Sequence, residues 1–199
     1  METRRDTSLS VAVCSIEHDI TLGLLNSAQS LTWVGLPISH SSLAALPRRM
    51  DQEHFRAVER SVLGLIRCSV LEDRVDCMFL GIVPVLRFEH PELATGPDRV
   101  SRTWLITGGW QARREASLGS LTLEWTNEPR GDGQTRHCVS ARVHGYPSRF
   151  LPHSMRGRPG PIRRCVASTY ARYHGIVTCR YLRRLARWID SLPPRAETA

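Results

Sequence analysis

The clearest pattern in the chain lies near its C-terminus, where Ile162, Val166, Tyr170, Tyr173, Val177, Tyr181, Leu185, Trp188 and Leu192 recur at spacings of three and four. Such spacing places them all on one face of a single long helix. Pro161 suits the first turn and Pro193-Pro194 stop the run, so a helix is predicted over 161–192, with Gly175 as its one weak point. A shorter amphipathic run carries Phe55, Val58, Val62, Leu65 and Ile66 on one side, and Asp51 is placed to cap it.

Between these two helices the period changes to two. Strands are predicted at Val70–Leu71, Val75–Ile82 and Val83–Glu89, with Pro84 marking a bulge or an edge, and again at Arg102–Gly108, Gly119–Thr126 and Thr135–Tyr146. Asn127–Gln134 is rich in turn formers and joins the last two strands as a hairpin. Its Arg130-Gly131-Asp132 tripeptide is similar to an integrin-binding sequence and is read as the hairpin tip. Upstream, Ser8–Ile16 alternates and predicts a first strand. Asp19–Leu31 is apolar without a clean period and is assigned a short helix, while Thr32–Ser42 reads as strand or loop. The whole, 1–199, reads as a single domain: a strand and two helices over 1–66, an antiparallel meander over 67–146, a Pro/Gly link over 147–160 and the helix of 161–192.

Strand alternation separates two faces of the meander. Leu121, Leu123 and Trp125 share one side with Trp104 and Ile106, and with the smaller Val139, Ala141, Val143 and Gly145. Glu124 and Arg142 lie opposite and read as a cross-strand ion pair. An apolar face that mixes indoles with alanine and glycine either leaves room for a ligand or is filled by the long helix. On that helix, the phenols Tyr170, Tyr173 and Tyr181 each need a hydrogen-bond partner when buried.

Charge then locates the outer surface. The chain has 199 residues, 27 basic and 19 acidic, and every basic residue is arginine. Residues 1–100 hold 10 arginines and 13 acids, whereas residues 101–199 hold 17 and 6. Arg172, Arg180, Arg183, Arg184 and Arg187 decorate the outer side of the long helix. No aromatic signature of RNA recognition or helix-turn-helix accompanies them, so nucleic acid is not the expected partner and a solvated face is. An acidic carrier protein docking there, and a homodimer, stay open.

Several chemistries are excluded. Without lysine there is no Schiff-base or pyridoxal chemistry, and no nucleophile elbow, phosphate-binding loop or dinucleotide fingerprint is present. Cys14, Cys68, Cys77, Cys138, Cys165 and Cys179 form no C-x-x-C pair, and the eight histidines form no spaced pair on a helix, so no metal site is expected. His174 reads as structural. Arg4-Arg5 precedes a short apolar run cut off by Glu17-His18-Asp19, and no apolar stretch is long enough to span a bilayer. A cytoplasmic protein with reduced thiols is expected.

Trp104–Trp110, Leu121–Trp125, Val139–Tyr146 and the helix to Ile189 follow one another in an order that resembles the helix-grip, or START-like, superfamily, which includes polyketide cyclases and ligand carriers. The resemblance implies an α+β fold in which a curved antiparallel β-sheet wraps around the C-terminal helix; a lipocalin-like small β-barrel is the alternative. It further implies an apolar cavity shaped by Met78, Phe79, Trp104 and Trp125, with Tyr170, Tyr173 or Tyr181 hydrogen-bonding a carbonyl. The function so implied is a cofactor-free cyclase folding a small apolar, polyketide-like substrate by orientation. The inward face shows no evident acid or base, which favours a pericyclic step. A non-catalytic carrier of an apolar ligand or lipid is the alternative, and an arginine-rich nucleic-acid-binding protein the third reading.

Overall fold

A computed structural model of the chain describes residues 14–19, 24–111, 119–131, 133–147 and 161–194; for 14–19, 40–41, 147, 161–168 and 170–171 it describes the backbone alone. The predicted first strand meets these residues only at its end, and the rest of it lies outside them, as do 148–160 of the link and residues 195–199.

Eight strands form one antiparallel sheet: β1 (Cys14–Asp19), β2 (Leu24–Gly35), β3 (Ile66–Val70), β4 (Arg74–Phe79), β5 (Val83–Thr95), β6 (Arg99–Gly108), β7 (Gly119–Pro129) and β8 (Thr135–Pro147). Their order across the sheet is β1-β2-β8-β7-β6-β5-β4-β3. Among the described residues β1 and β3 are its two edges, so the curled sheet is open there and does not close into the alternative barrel. The described residues also hold three helices: α1 (His40–Leu43), α2 (Leu46–Ser61) and α3 (Pro161–Asp190). α2 and α3 pack on each other, α3 against β2 and β8, and α2 against β6.

The meander follows the alternation closely. In β7, Leu121, Leu123 and Trp125 are buried, and across the β7–β8 register they face Val143, Ala141 and Val139. Pro84 sits at the register shift between β4 and β5. Glu124 takes its cross-strand arginine, with Arg142 Nη2 at 3.4 Å, and also Arg99 Nε at 2.6 Å. The long helix follows its stripe in part: Val177, Tyr181 and Leu185 are buried, Tyr173, Trp188 and Leu192 half-buried, and Ile189 beside the stripe is buried as well. Cys77 is buried, Cys68 and Cys138 are half-buried, and Cys179 is exposed.

Some element ends differ from expectation: Val62, Leu65 and Ile66 lie beyond α2, with Ile66 opening β3, and Leu80-Gly81-Ile82 is the turn after β4 and not strand. Two larger expectations also fail. The segment assigned to a helix over Asp19–Leu31 is β2, a strand whose inward positions are Leu25, Ser27, Gln29, Leu31 and Trp33. Two polar residues inside that sequence hide the alternation, and its pairing with β8, more than a hundred residues away, is what fixes it as a strand. The helix expected to start at Asp51 starts at Leu46, with Pro47 in its first turn. Asp51 is no cap: it is buried inside α2, where its carboxylate accepts from Trp104 Nε1 at 2.8 Å and lies 2.6 Å from Arg102 Nε. This contact ties α2 to β6.

Candidate functional site

The unevenness of the sheet's apolar face separates into a filled end and a hollow one. At the filled end Trp125 stacks on His137, whose other neighbour is Trp33, with ring centroids 6.0 and 5.2 Å apart. At the other end the smaller side chains leave a cavity of about 250 Å3 between sheet and helices. Sheet residues Val85, Phe88, Ile106, Leu121 and Val143 supply much of its wall, and Val58, Val62 and Val177 close it from α2 and α3. Among the described residues, no carboxylate or guanidinium lines it.

A small polar group interrupts these walls: His54 from α2, and Tyr173 and His174 from α3, with Gln111 and Tyr146 also on the lining. The helical repeat accounts for the placement. His54, Val58 and Val62 are successive turns of one stripe, as are Tyr173 and Val177. His54 is wedged among aromatic rings, edge-on to Tyr181 at 5.1 Å and to Phe55 at 5.2 Å. Its Nδ1 and the Tyr173 hydroxyl are buried without a hydrogen-bond partner among the described residues. Burial, reinforced by the neighbouring His174, pushes the His54 pKa down from 6.5 to about 3, so the imidazole is neutral at physiological pH. Burial pushes the Tyr173 phenol up to about 12, aided by the adjacent Cys68 and Cys77, so it keeps its proton. The hollow end therefore presents two neutral hydrogen-bonding groups, His54 and Tyr173, on an otherwise largely apolar wall.

Of the residues singled out from sequence, Tyr173 lines this cavity. Tyr181 lies deeper, fully buried between α3 and His54, and the side chain of Tyr170 lies outside the described residues. The two indoles are filled in: Trp104 donates to Asp51 and Trp125 stacks on His137, so both build the core beside the cavity and not its lining. Met78 and Phe79 are also absent from the lining. Cys77 points into the cavity, so its strand neighbour Met78 faces the other way, and Phe79 is 38% exposed. His54 was missed although a signal existed: it falls one turn before Val58 on the inward stripe.

An open, curled antiparallel sheet gripping a C-terminal helix, with a cavity between them, is the helix-grip arrangement. No protein-family model matches the chain, and no curated protein does. Among solved structures it is similar to a START superfamily protein from Mycobacterium smegmatis, at 12% identity over 81% of this chain and 98% of that one, with a TM-score of 0.36. It is also similar to the human StarD13 lipid transfer and protein localization domain (10% identity, 88% and 85% covered, TM-score 0.40) and to CalU16 from Micromonospora echinospora (9% identity, 92% and 98% covered, TM-score 0.27).

Proposed function

We propose that this protein binds a small, neutral, largely apolar molecule in the cavity and orients it through one polar group held by Tyr173, His54 and His174. The observation that carries this reading is the pairing of largely apolar walls with two buried groups, His54 Nδ1 and the Tyr173 hydroxyl, that have no protein partner among the described residues. Among the described residues a charged ligand would find no counterion there, at a cost of several kcal/mol. A cavity of about 250 Å3 matches roughly eight waters at about 30 Å3 each, so the enclosed part of the ligand is smaller than a whole membrane lipid. The test is binding of the neutral fluorophore N-phenyl-1-naphthylamine. Val58→Trp, which fills the cavity from half-buried Val58, should abolish the fluorescence gain while leaving the circular dichroism unchanged. Equal binding by both proteins would refute the reading.

The same polar group favours a catalytic version, cofactor-free cyclisation of a polyketide-like molecule. The ground for preferring a pericyclic step was a missing inward acid or base, and two imidazoles on the wall remove that ground. His54, with its depressed pKa, is a weak base and better suited to hydrogen-bonding a carbonyl as it gains electron density, a task it would share with Tyr173. A carrier releases the molecule it took up, whereas a cyclase releases an isomer or a dehydrated product. In a cyclase, Tyr173→Phe should lower turnover without loss of fold.

A further inference from the structure

Two turns of this protein break the same local rule in the same way. Val62-Leu63-Gly64-Leu65 links α2 to β3, and Phe79-Leu80-Gly81-Ile82 links β4 to β5. Each is closed by a hydrogen bond from its fourth residue to its first: Leu65 N to Val62 O at 2.9 Å, and Ile82 N to Phe79 O at 3.0 Å. Both central residues of each turn have positive φ: 53° and 76° in the first, 50° and 72° in the second. That geometry favours Asn-Gly or Asp-Gly, and a leucine held there is strained by its own Cβ. Leu63 and Leu80 gain no internal packing in return, being 92% and 60% exposed.

The turns are also joined, with Leu80 N donating to Leu65 O at 2.7 Å. Together they form one convex apolar projection, in which Ile82 is 77% exposed. Its exposed charges are mostly arginine, with Glu59 the nearby acid, its carboxylate accepting from Cys68 N at 2.8 Å. Residues 60–71 and 77–87 contain no Asp or Glu, and Arg60 and Arg67 flank the first turn, both exposed. Exposed Arg180 of α3 reaches Ser61 beside it, its Nη1 3.4 Å from Oγ. Val62 and Ile66, on either side of the first turn, line the cavity, so the projection stands at the cavity's rim.

We propose that these paired leucine turns are a docking surface for an anionic lipid bilayer: the tips enter the interface and the arginines meet the headgroups. Branched aliphatics on protruding turns, ringed by guanidinium groups, match the layering of such an interface, apolar beneath and negative above. The proposal does not depend on what the cavity holds.

The test is cosedimentation of the full chain with vesicles of phosphatidylcholine, with and without phosphatidylserine, for wild type and Leu63→Asn/Leu80→Asn. Asparagine suits positive φ before glycine, so the variant should fold at least as stably as wild type, read as an unchanged or higher Tm. Wild type should pellet with the mixed vesicles, lose that association as salt is raised, and bind pure phosphatidylcholine more weakly. Removing two leucines from the interface should weaken partitioning at least about tenfold. Failure of wild type to associate with either vesicle, or equal association of the folded variant, would overturn the proposal. So would a concentration-dependent dimer that the variant abolishes in a protein that ignores vesicles.

Discussion

A neutral imidazole on the cavity wall has a measurable consequence in acid. In the unfolded chain His54 takes up a proton below its ordinary pKa of 6.5, whereas the folded protein resists protonation of that ring down to about 3. Its contribution to stability is therefore complete above pH 6.5 and is lost progressively as the pH falls toward 3. At about pH 5, 1.5 units into that window, the loss is about 2 kcal/mol at 1.36 kcal/mol per unit. Asp51 works in the opposite sense. Burial, only partly offset by Trp104 and Arg102, raises its pKa from 3.8 to about 6, so the folded form gains a proton first. That gain is worth about 1.4 kcal/mol at about pH 5 and masks most of the histidine's effect in wild type. The assay is urea unfolding at about pH 7.5 and about pH 5, comparing wild type with His54→Gln. On acidification wild type should lose about 2 kcal/mol more than the variant, and the same difference should persist in an Asp51→Asn background. Identical pH dependence in the two proteins would refute the buried neutral ring and, with it, the polar end of the proposed site.

Asp51 itself predicts the reverse trend: its stabilising effect is fully present below pH 3.8 and fades as pH rises through about 6. The stability difference between wild type and Asp51→Asn should therefore move in favour of wild type by about 3 kcal/mol from about pH 7.5 to about pH 3.5 in urea titrations. A second change probes the loop that carries Gln111 to the cavity. Gly109 has φ 109°, and an added Cβ would sit 2.3 Å from Val85 O, where Trp110 and Gln111 donate to Pro84 O and Val85 O. Gly109→Ala should cost at least about 2 kcal/mol in the same assay and expose Trp110 further, seen as a red-shifted emission.

What could be read in advance follows from how locally each feature is enforced. Elements buried on one face announce themselves by period, as in α3 and the β7–β8 hairpin, because the same few residues must all be apolar. β2 escapes this logic. Ser27 and Gln29 occupy inward positions, so its identity rests on a distant partner strand. Asp51 looked like a cap because aspartate caps helices, but its surroundings come from β6, which the periodicity of α2 does not report. The inward phenol Tyr173 was legible from its stripe. His54 was not singled out, because a histidine on an apolar face has meaning only once the opposite wall of the cavity is known.

The sequence by itself determined the long helix α3, the meander, the inward faces of β7 and β8, the basic outer side of α3 and the absence of lysine chemistry, all of them properties of residue type and spacing. Only the tertiary structure decided which stretch of apolar surface is filled and which is hollow, because that depends on the β7–β8 register and on where Asp51 and Arg102 moor α2. It also decided the conformation of the two leucine turns. Leu-Gly in a sequence is unremarkable, whereas a leucine held at positive φ and exposed to solvent is costly, and that cost is visible only when the backbone angles are known.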